Sequence, residues 1–401
     1  MNAADTLFVL VCAAMVLVMT PALSAFYTGL TRRKSGVDIM MQVWICLAVV
    51  GILWVVCGFS LAFGSDTAGG LFGGGDFLML KNVGAEPNAA YGPTVPFIAY
   101  FFLQVTYAII TPALICGAVA ERMTLKSYLL FVLLWSVIVY IPLAHMVWGG
   151  GLFSKFGMID WAGGLVIHTS AGFSALAAAL ILKKRKNEDY TPHNMAQVSI
   201  NCGLLLFGWL AFNAGGALAV NSNAVYSMVN SLIGSMMGMA VWTILTAIRE
   251  KRPSFMSAML GFLGGLVAVT PAAGIITPSS ALILSLIVSI VCYVCINIIH
   301  PTVGFDDTLD VWGLHGMGGF TGTILLPFFA DSSLIDMSRS AIAQVGVQAG
   351  CVIAGAAFAF IATWIILKVI GAITPLRLPA EIEGNVDEAV YKEKMYDQLT
   401  D

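Results

Sequence analysis

Apolar residues run along this chain in long, nearly unbroken stretches separated by short polar clusters. That is the pattern of helices immersed in hydrocarbon, not of half-buried helices or strands facing water. A helix needs about 20 apolar residues to cross a bilayer. Eleven stretches approach or exceed that length, at 6–28, 39–63, 95–119, 127–147, 161–182, 195–219, 224–247, 255–274, 279–299, 311–329 and 340–367. The pattern predicts an all-α polytopic membrane protein with eleven transmembrane helices.

Composition narrows the class. With 59% hydrophobic and 10% charged residues among 401, and a mean hydropathy of +0.90, an ordinary soluble domain is excluded. Lys and Arg accumulate on the cytoplasmic side of membrane proteins. Sixteen fall on one set of loops, including Arg32, Arg33, Lys34, Lys183, Lys184, Arg185 and Lys186, whereas the other set holds only Lys81, Lys155 and Arg339. The expected orientation is N-terminus outside and C-terminus inside. No basic residue precedes the first apolar run, which argues against a secretory signal and reads as the first helix itself. Asp66, Asp76, Glu86, Asp160, Asp331 and Asp336 make the outer loops mildly attractive to cations.

Against this apolar background two histidines stand out. His168 lies in DWAGGLVIHTSAG (160–172) and His315 in DTLDVWGLHGMGG (307–319). In each frame an aspartate precedes the histidine by eight residues and a glycine follows it by four. An ionisable side chain in hydrocarbon is costly and marks a pathway for an ion or proton. Spans one to five and six to ten form two blocks of five, so the second block runs opposite to the first, an inverted repeat with its site between the halves. Eight residues of helix rise about 12 Å, so the two histidines approach the midplane from opposite faces and meet there. The expected domains are a membrane domain at 1–369, with pseudo-repeats at about 1–190 and 191–330 followed by an eleventh helix, and a cytoplasmic tail at 370–401.

No span carries further carboxylates that would hold a metal in the dry centre, and paired imidazoles pass protons near neutral pH. Trp148 and Tyr107 offer ring faces to a cation at the outer end, an attraction of ~0.5–2 kcal/mol. Phe212 reads as a packing residue or a gate. The eight cysteines are scattered; Cys292 and Cys295 form a CxxC inside an apolar helix without the flanking groups of a redox or metal site, and read as structural. Small-residue runs such as GFLGG (261–265) permit close helix packing in lipid. The FGGG run at 72–75 reads as a turn, with no lysine and no strand to suit it for phosphate.

Several dispersed segments carry a family resemblance: PALSAFYTGLTRRK (21–34), ITPALICGAVAERM (110–123), PLAHMVWGGG (142–151), the two histidine frames, GWLAFNAGGA (208–217) and LRLPAEIEG (376–384). Along nearly its whole length the chain resembles the ammonium transporter (Amt/Mep/Rh) family. The resemblance implies an eleven-helix protomer of a homotrimer in the cell (inner or cytoplasmic) membrane, each protomer with its own narrow apolar pore, and no cofactor, metal, enzymatic activity or nucleic-acid partner. By motif, His168 and His315 resemble the twin pore histidines, Asp160 the helix-start carboxylate of the outer vestibule, Trp148 the outer-site tryptophan, Tyr107 and Phe212 the stacked gate rings, and Trp209 a further pore-lining residue. The chain departs from the family at the mouth, where Leu103 replaces an aromatic, Tyr107 a phenylalanine and Gly216 a serine.

The resemblance implies recruitment of ammonium outside, deprotonation, and passage of ammonia along the histidines. Its alternatives are an ammonium sensor signalling to a cytoplasmic partner or fused domain, and an Rh-like neutral-gas channel, which the presence of Trp148 disfavours. The tail (380–401) has the mixed charge of a solvated end. Its AEIEG start resembles the family segment that folds across neighbouring protomers and helps a PII-type signal protein block the pore.

Overall fold

The computed structural model describes residues 1–186 and 191–396. Each apolar segment is occupied by helix: α1 (Ala3–Leu30), α2 (36–63), α3 (Phe97–Val119), α4 (125–148), α5 (Gly164–Leu182), α6 (Met195–Gly215), α7 (Ser222–Glu250), α8 (Phe255–Val269), α9 (Pro278–Val303), α10 (312–325) and α11 (Ala341–Ile373). Among the described residues nine helices are long and apolar enough to cross a membrane; α8 is apolar but shorter. The chain is a multi-pass membrane protein.

Polar residues at the helix starts explain where the segments begin. Asn2, Thr124, Asn194, Asn221, Ser254, Thr277 and Ser340 each accept a hydrogen bond from a backbone N–H of the first turn. Each satisfies a donor that hydrocarbon could not, at a typical gain of about 1 kcal/mol. Pro278 opens α9 at a position where its missing N–H costs nothing.

Close glycine contacts set the packing. α1 lies along α6, α7 against α8 and α9, and α11 along the outside of α5. A Cβ on Gly234 would stand 2.5 Å from the Gly265 carbonyl oxygen, and one on Gly261 at 2.5 Å from the Gly238 carbonyl oxygen, so α7 and α8 touch backbone to backbone. The GFLGG run serves the close packing its composition implied.

α5 and α10, the two histidine helices, cross at Gly172 and Gly316, where a Cβ on Gly316 would meet the Gly172 Cα at 3.2 Å. Each carries its histidine in a wide π-helical turn, at Gly164–Thr169 and Trp312–Gly316. Such turns recur at functional sites because they re-aim side chains.

Polar loops close the two ends. At one end, a short hairpin pairs Pro87–Asn88 with Gly92–Pro96, and the 72–75 run is a loop bridged through Gly73 to Asp66. At the other end Glu121 is fully buried and receives Arg32 in a bidentate pair (2.9 and 2.7 Å) and Arg185 at 3.0 Å, while Asp306 receives Arg185 at 3.1 Å. The eight cysteines are free.

Candidate functional site

The frame around each histidine has a local cause. Asp160 is 7% exposed. Its Oδ1 accepts from the N–H groups of Gly163 (2.9 Å) and Gly164 (2.6 Å), and its Oδ2 from Leu165 (2.8 Å) and Val166 (3.2 Å). Both oxygens are thus taken up in capping α5. Asp307 plays the same part for α10, accepting from the Trp312 N–H at 2.7 Å. The eight-residue spacing is the distance from a carboxylate cap to the histidine two turns beyond it.

The caps bring the rings together. His168 and His315 are 2% and 5% exposed, and their Nδ1 atoms lie 3.1 Å apart. A neutral pair joined in this way holds one proton between the two Nδ1 atoms, so one ring presents a bare Nε2 and the other an Nε2–H. His168 Nε2 has no protein partner among the described residues. The rings stand nearly parallel, and Trp209 stacks on His168 at 5.3 Å with an interplanar angle of 11°. Trp209 is itself fixed by its N–H, which donates to Thr270 Oγ1 at 2.9 Å.

These residues line a cavity of about 20 Å³ with Phe26, Tyr27, Leu114, Ile167, Phe212 and Leu314. One water-sized molecule needs about 10–15 Å³. The cavity therefore has room for one such molecule, and most of its lining is apolar.

On one side of the histidines stand Phe212 and then Tyr107, with ring centroids 4.7 Å apart at 64°. The Tyr107 hydroxyl donates to the Phe212 carbonyl at 2.8 Å, which pins the two rings as one plug. Above them a cavity of about 300 Å³ is lined by Leu103, Tyr107, Trp148 and Gly216, all four named from sequence, and by Tyr100, Gln104 and Trp161, which were not. Trp148 donates its N–H to the Asp160 carbonyl (2.9 Å) and Trp161 to the Asn213 carbonyl (2.8 Å), so both ring faces are held in place. Asp160 reaches the mouth only through this carbonyl; its carboxylate faces the helix.

Tyr100, Leu103, Gln104 and Tyr107 recur at the i, i+3, i+4, i+7 spacing of one helix face, a signal that could have added Tyr100 and Gln104. In the loops at that end, Lys155 donates to Asp66 at 2.5 Å, and that contact holds the Asp66 carboxyl down to about 2. On the other side of the histidines opens a second cavity of about 430 Å³, lined by Lys184, Arg185, His300, Asp306, Asp307 and Asp310. His300 Nδ1 contacts Asp310 at 2.9 Å.

Two larger, more polar cavities flanking a small apolar one that holds a histidine pair, with an aromatic pair beside it, suit a channel-like transporter for a small molecule. A model of the Ammonium Transporter Family matches residues 7–396. The ammonium transporter of Bacillus subtilis (strain 168) is 37% identical over 403 residues, covering 99% of each chain. The crystal structure of Saccharomyces cerevisiae Mep2 is similar with a TM-score of 0.88 at 30% identity, over 95% of this chain and 88% of that one. A structure named Sensor Amt Protein is similar with a TM-score of 0.89 at 26% identity, over 96% and 98%. The chain belongs to the ammonium transporter family.

Proposed function

We propose that the chain moves ammonium across the membrane by separating it into ammonia and a proton. Ammonium enters the outer cavity and is held against the ring faces of Trp148 and Tyr107. It gives up its proton to water in that cavity, and ammonia slips past the plug of Tyr107 and Phe212 into the lane. There the His168–His315 pair relays the proton while ammonia crosses. The observation that carries this reading is the 3.1 Å Nδ1–Nδ1 contact inside a cavity of about 20 Å³. A proton taken up at one Nε2 drives the shared proton across and releases another from the partner's Nε2, so charge moves without an ion crossing the lane. A bare potassium ion would have to shed its water at a cost of several kcal/mol, and it has no proton to give up.

This reading includes eleven spans with the N-terminus outside, two inverted blocks of five at about 1–190 and 191–330 within the 1–369 domain, and assembly as a homotrimer in the inner or cytoplasmic membrane. It also includes control at the cytoplasmic face by a PII-type protein acting through the tail (370–401). A sensor reading is favoured by one observation, the likeness to the protein named Sensor Amt Protein. The two readings part in reconstituted liposomes. An ammonium pulse produces an inward current with the native chain and none with potassium, and His168→Ala or His315→Ala reduces proton-coupled current at least tenfold, about 1.4 kcal/mol on the barrier. A silent but folded native protein overturns transport in favour of sensing.

A further inference from the structure

A third histidine stands beside the second cavity. α9 ends in a wide π-helical turn, Cys295–Ile299, and His300 follows it directly, much as such turns carry His168 and His315. His300, Phe305 and Asp310 line the cavity of about 430 Å³. That cavity shares Leu260 and Leu309 with the small cavity of the histidine pair, so the two adjoin. The relay described above does not use His300.

Both ring nitrogens of His300 face acceptors. Nδ1 lies 2.9 Å from Asp310 Oδ1, and Nε2 lies 2.9 Å from the Phe305 carbonyl oxygen. A neutral imidazole has one N–H and would turn a lone pair on one of these oxygens, whereas the imidazolium donates to both. The ring also stacks on Phe305, with centroids 4.5 Å apart at 27°, and an aromatic face attracts a cation. Among the charged groups that line the cavity, Arg185 and Asp306 pair at 3.1 Å. That leaves two carboxylates, Asp307 and Asp310, against the one ammonium of Lys184, a balance that favours a further positive charge.

Asp310 meets His300 from an uncommon backbone conformation. Its φ of +56° is left-handed, a region that Asp and Asn enter more readily than most residues. Its N–H donates to the Asp307 carbonyl at 3.2 Å, and its own carbonyl accepts from the Leu314 N–H at 2.9 Å. Trp312, at the start of the turn that carries His315, meets the Phe305 ring edge-on at 5.5 Å. One short stretch of chain thus mounts the carboxylate, braces the ring beneath His300 and holds one half of the relay.

We propose that His300 is the proton donor that turns ammonia back into ammonium as it leaves the lane, with Asp310 as its positioning residue. In this step, which rests on the relay reading above, ammonia entering the cavity takes the Nε2 proton of the imidazolium. An N–H bond forms on ammonia as the Nε2–H bond breaks, and the product is ammonium. The neutral ring, its Nε2 lone pair now opposed to the Phe305 carbonyl, reloads with the proton that the His168–His315 pair releases, carried by water in the cavity. The ring returns to its starting state, and one ammonium has left.

The test is the ammonium-evoked current of proteoliposomes. His300→Gln keeps an N–H donor for Asp310 but carries no proton, and it lowers the current about tenfold or more. His300→Ala falls as far and recovers when imidazole buffer replaces phosphate on both faces, a change that leaves the native current as it was. Asp310→Asn, which suits the left-handed backbone, lowers the current as well. In 15N-histidine spectra at neutral pH, the signal that His300→Gln removes has both ring nitrogens protonated; a bare nitrogen there overturns the proposal. A full current in His300→Gln and Asp310→Asn beside a reduced one in His168→Ala overturns this step and leaves the relay standing. A loss in His300→Ala that imidazole does not restore assigns the ring to packing and also overturns it. A full current in His168→Ala overturns the relay and this step with it. Should the His300 variants fail to fold, a full current in Asp310→Asn is sufficient to overturn the step.

Discussion

At the scale of single residues, the most informative group at the site is a carboxylate that never faces the substrate. Asp160 spends neither oxygen on the outer cavity; four backbone N–H groups take both. Asp160→Asn replaces one acceptor oxygen by an NH2 that points at N–H donors. Hydrogen bonds to a charged group contribute about 1.5–3 kcal/mol. The variant should lose about that much stability in a detergent melt and should lose current, because His168 rides on the helix so capped. A melting point equal to that of the native protein would remove the capping role. The two histidines, their meeting and the rings above them were legible in the sequence, since an ionisable residue in an apolar run is conspicuous and eight residues measure depth. The direction of the Asp160 carboxylate was not. A sequence places a residue at the start of a helix without saying whether its oxygens turn inward to the N–H groups or outward to the cavity. Gln104, Tyr100 and Trp161 escaped for a different reason: polar and aromatic residues at the end of a span also fit an interfacial belt, and only the cavity they share sets them apart.

At the scale of elements, apolar length located the long helices but neither the short ones, such as Leu152–Lys155 and Asp387–Tyr391, nor the irregularities inside the long ones. Expected and observed bounds differ by a few residues at most ends; the widest gap is at α11, which runs to Ile373 instead of 367, and the next is at α8, which closes at Val269 instead of 274. There Thr270–Ala273 leave the helix, and the Thr270 hydroxyl at the break is the group that fixes Trp209. The π-helical turns under His168 and His315 were equally hidden, because helices bathed in lipid and protein on all sides carry little amphipathic periodicity to betray a change of phase. Glycine spacing was more readable. In hydrocarbon no hydrophobic force presses helices together, so contact depends on backbone approach. α7 and α8 depend on it at Gly234, Gly238, Gly261 and Gly265. Gly265→Val forces those backbones apart and should cost about 1–3 kcal/mol or more by overpacking. The check is a detergent melt beside Gly203→Val, at a position where a Cβ meets nothing within 4 Å. Equal melting of the two variants would deny the close crossing.

At the scale of the molecule, the tail is a strap across the helix ends that carry Arg122 and the start of α2. Leu378 donates its N–H to the Arg122 carbonyl at 2.7 Å, and Arg377 pairs with Glu383 at 2.6 Å. Asp387 accepts from the N–H groups of Val37 and Asp38, both at 3.0 Å, at the start of α2, and the Tyr391 hydroxyl donates to Asp38 at 2.8 Å. Tyr396 contacts His193 Nε2 at 3.1 Å beneath the Arg33 guanidinium. Up to that residue the tail packs on its own chain; 397–401 lie outside the described residues. Burial raises the Asp387 carboxyl above its ordinary value, with the Glu121 charge adding to it, against the N–H donors of Gly36, Val37 and Asp38, which lower it. The sign of the pH effect follows. A carboxyl whose pKa is higher docked than free binds more protons docked, so docking tightens as pH falls through the raised value and levels off below the free value of about 3.9. Amide hydrogen exchange of residues 387–391, corrected for its intrinsic pH dependence, should therefore show more protection near the free value of about 3.9 than near neutral pH, and Asp387→Asn, fixed in the neutral form, should flatten the difference. Protection that instead falls on acidification would mean that the ionised cap holds the strap, and that cytoplasmic acid loosens the tail from α2 where neutral pH keeps it closed.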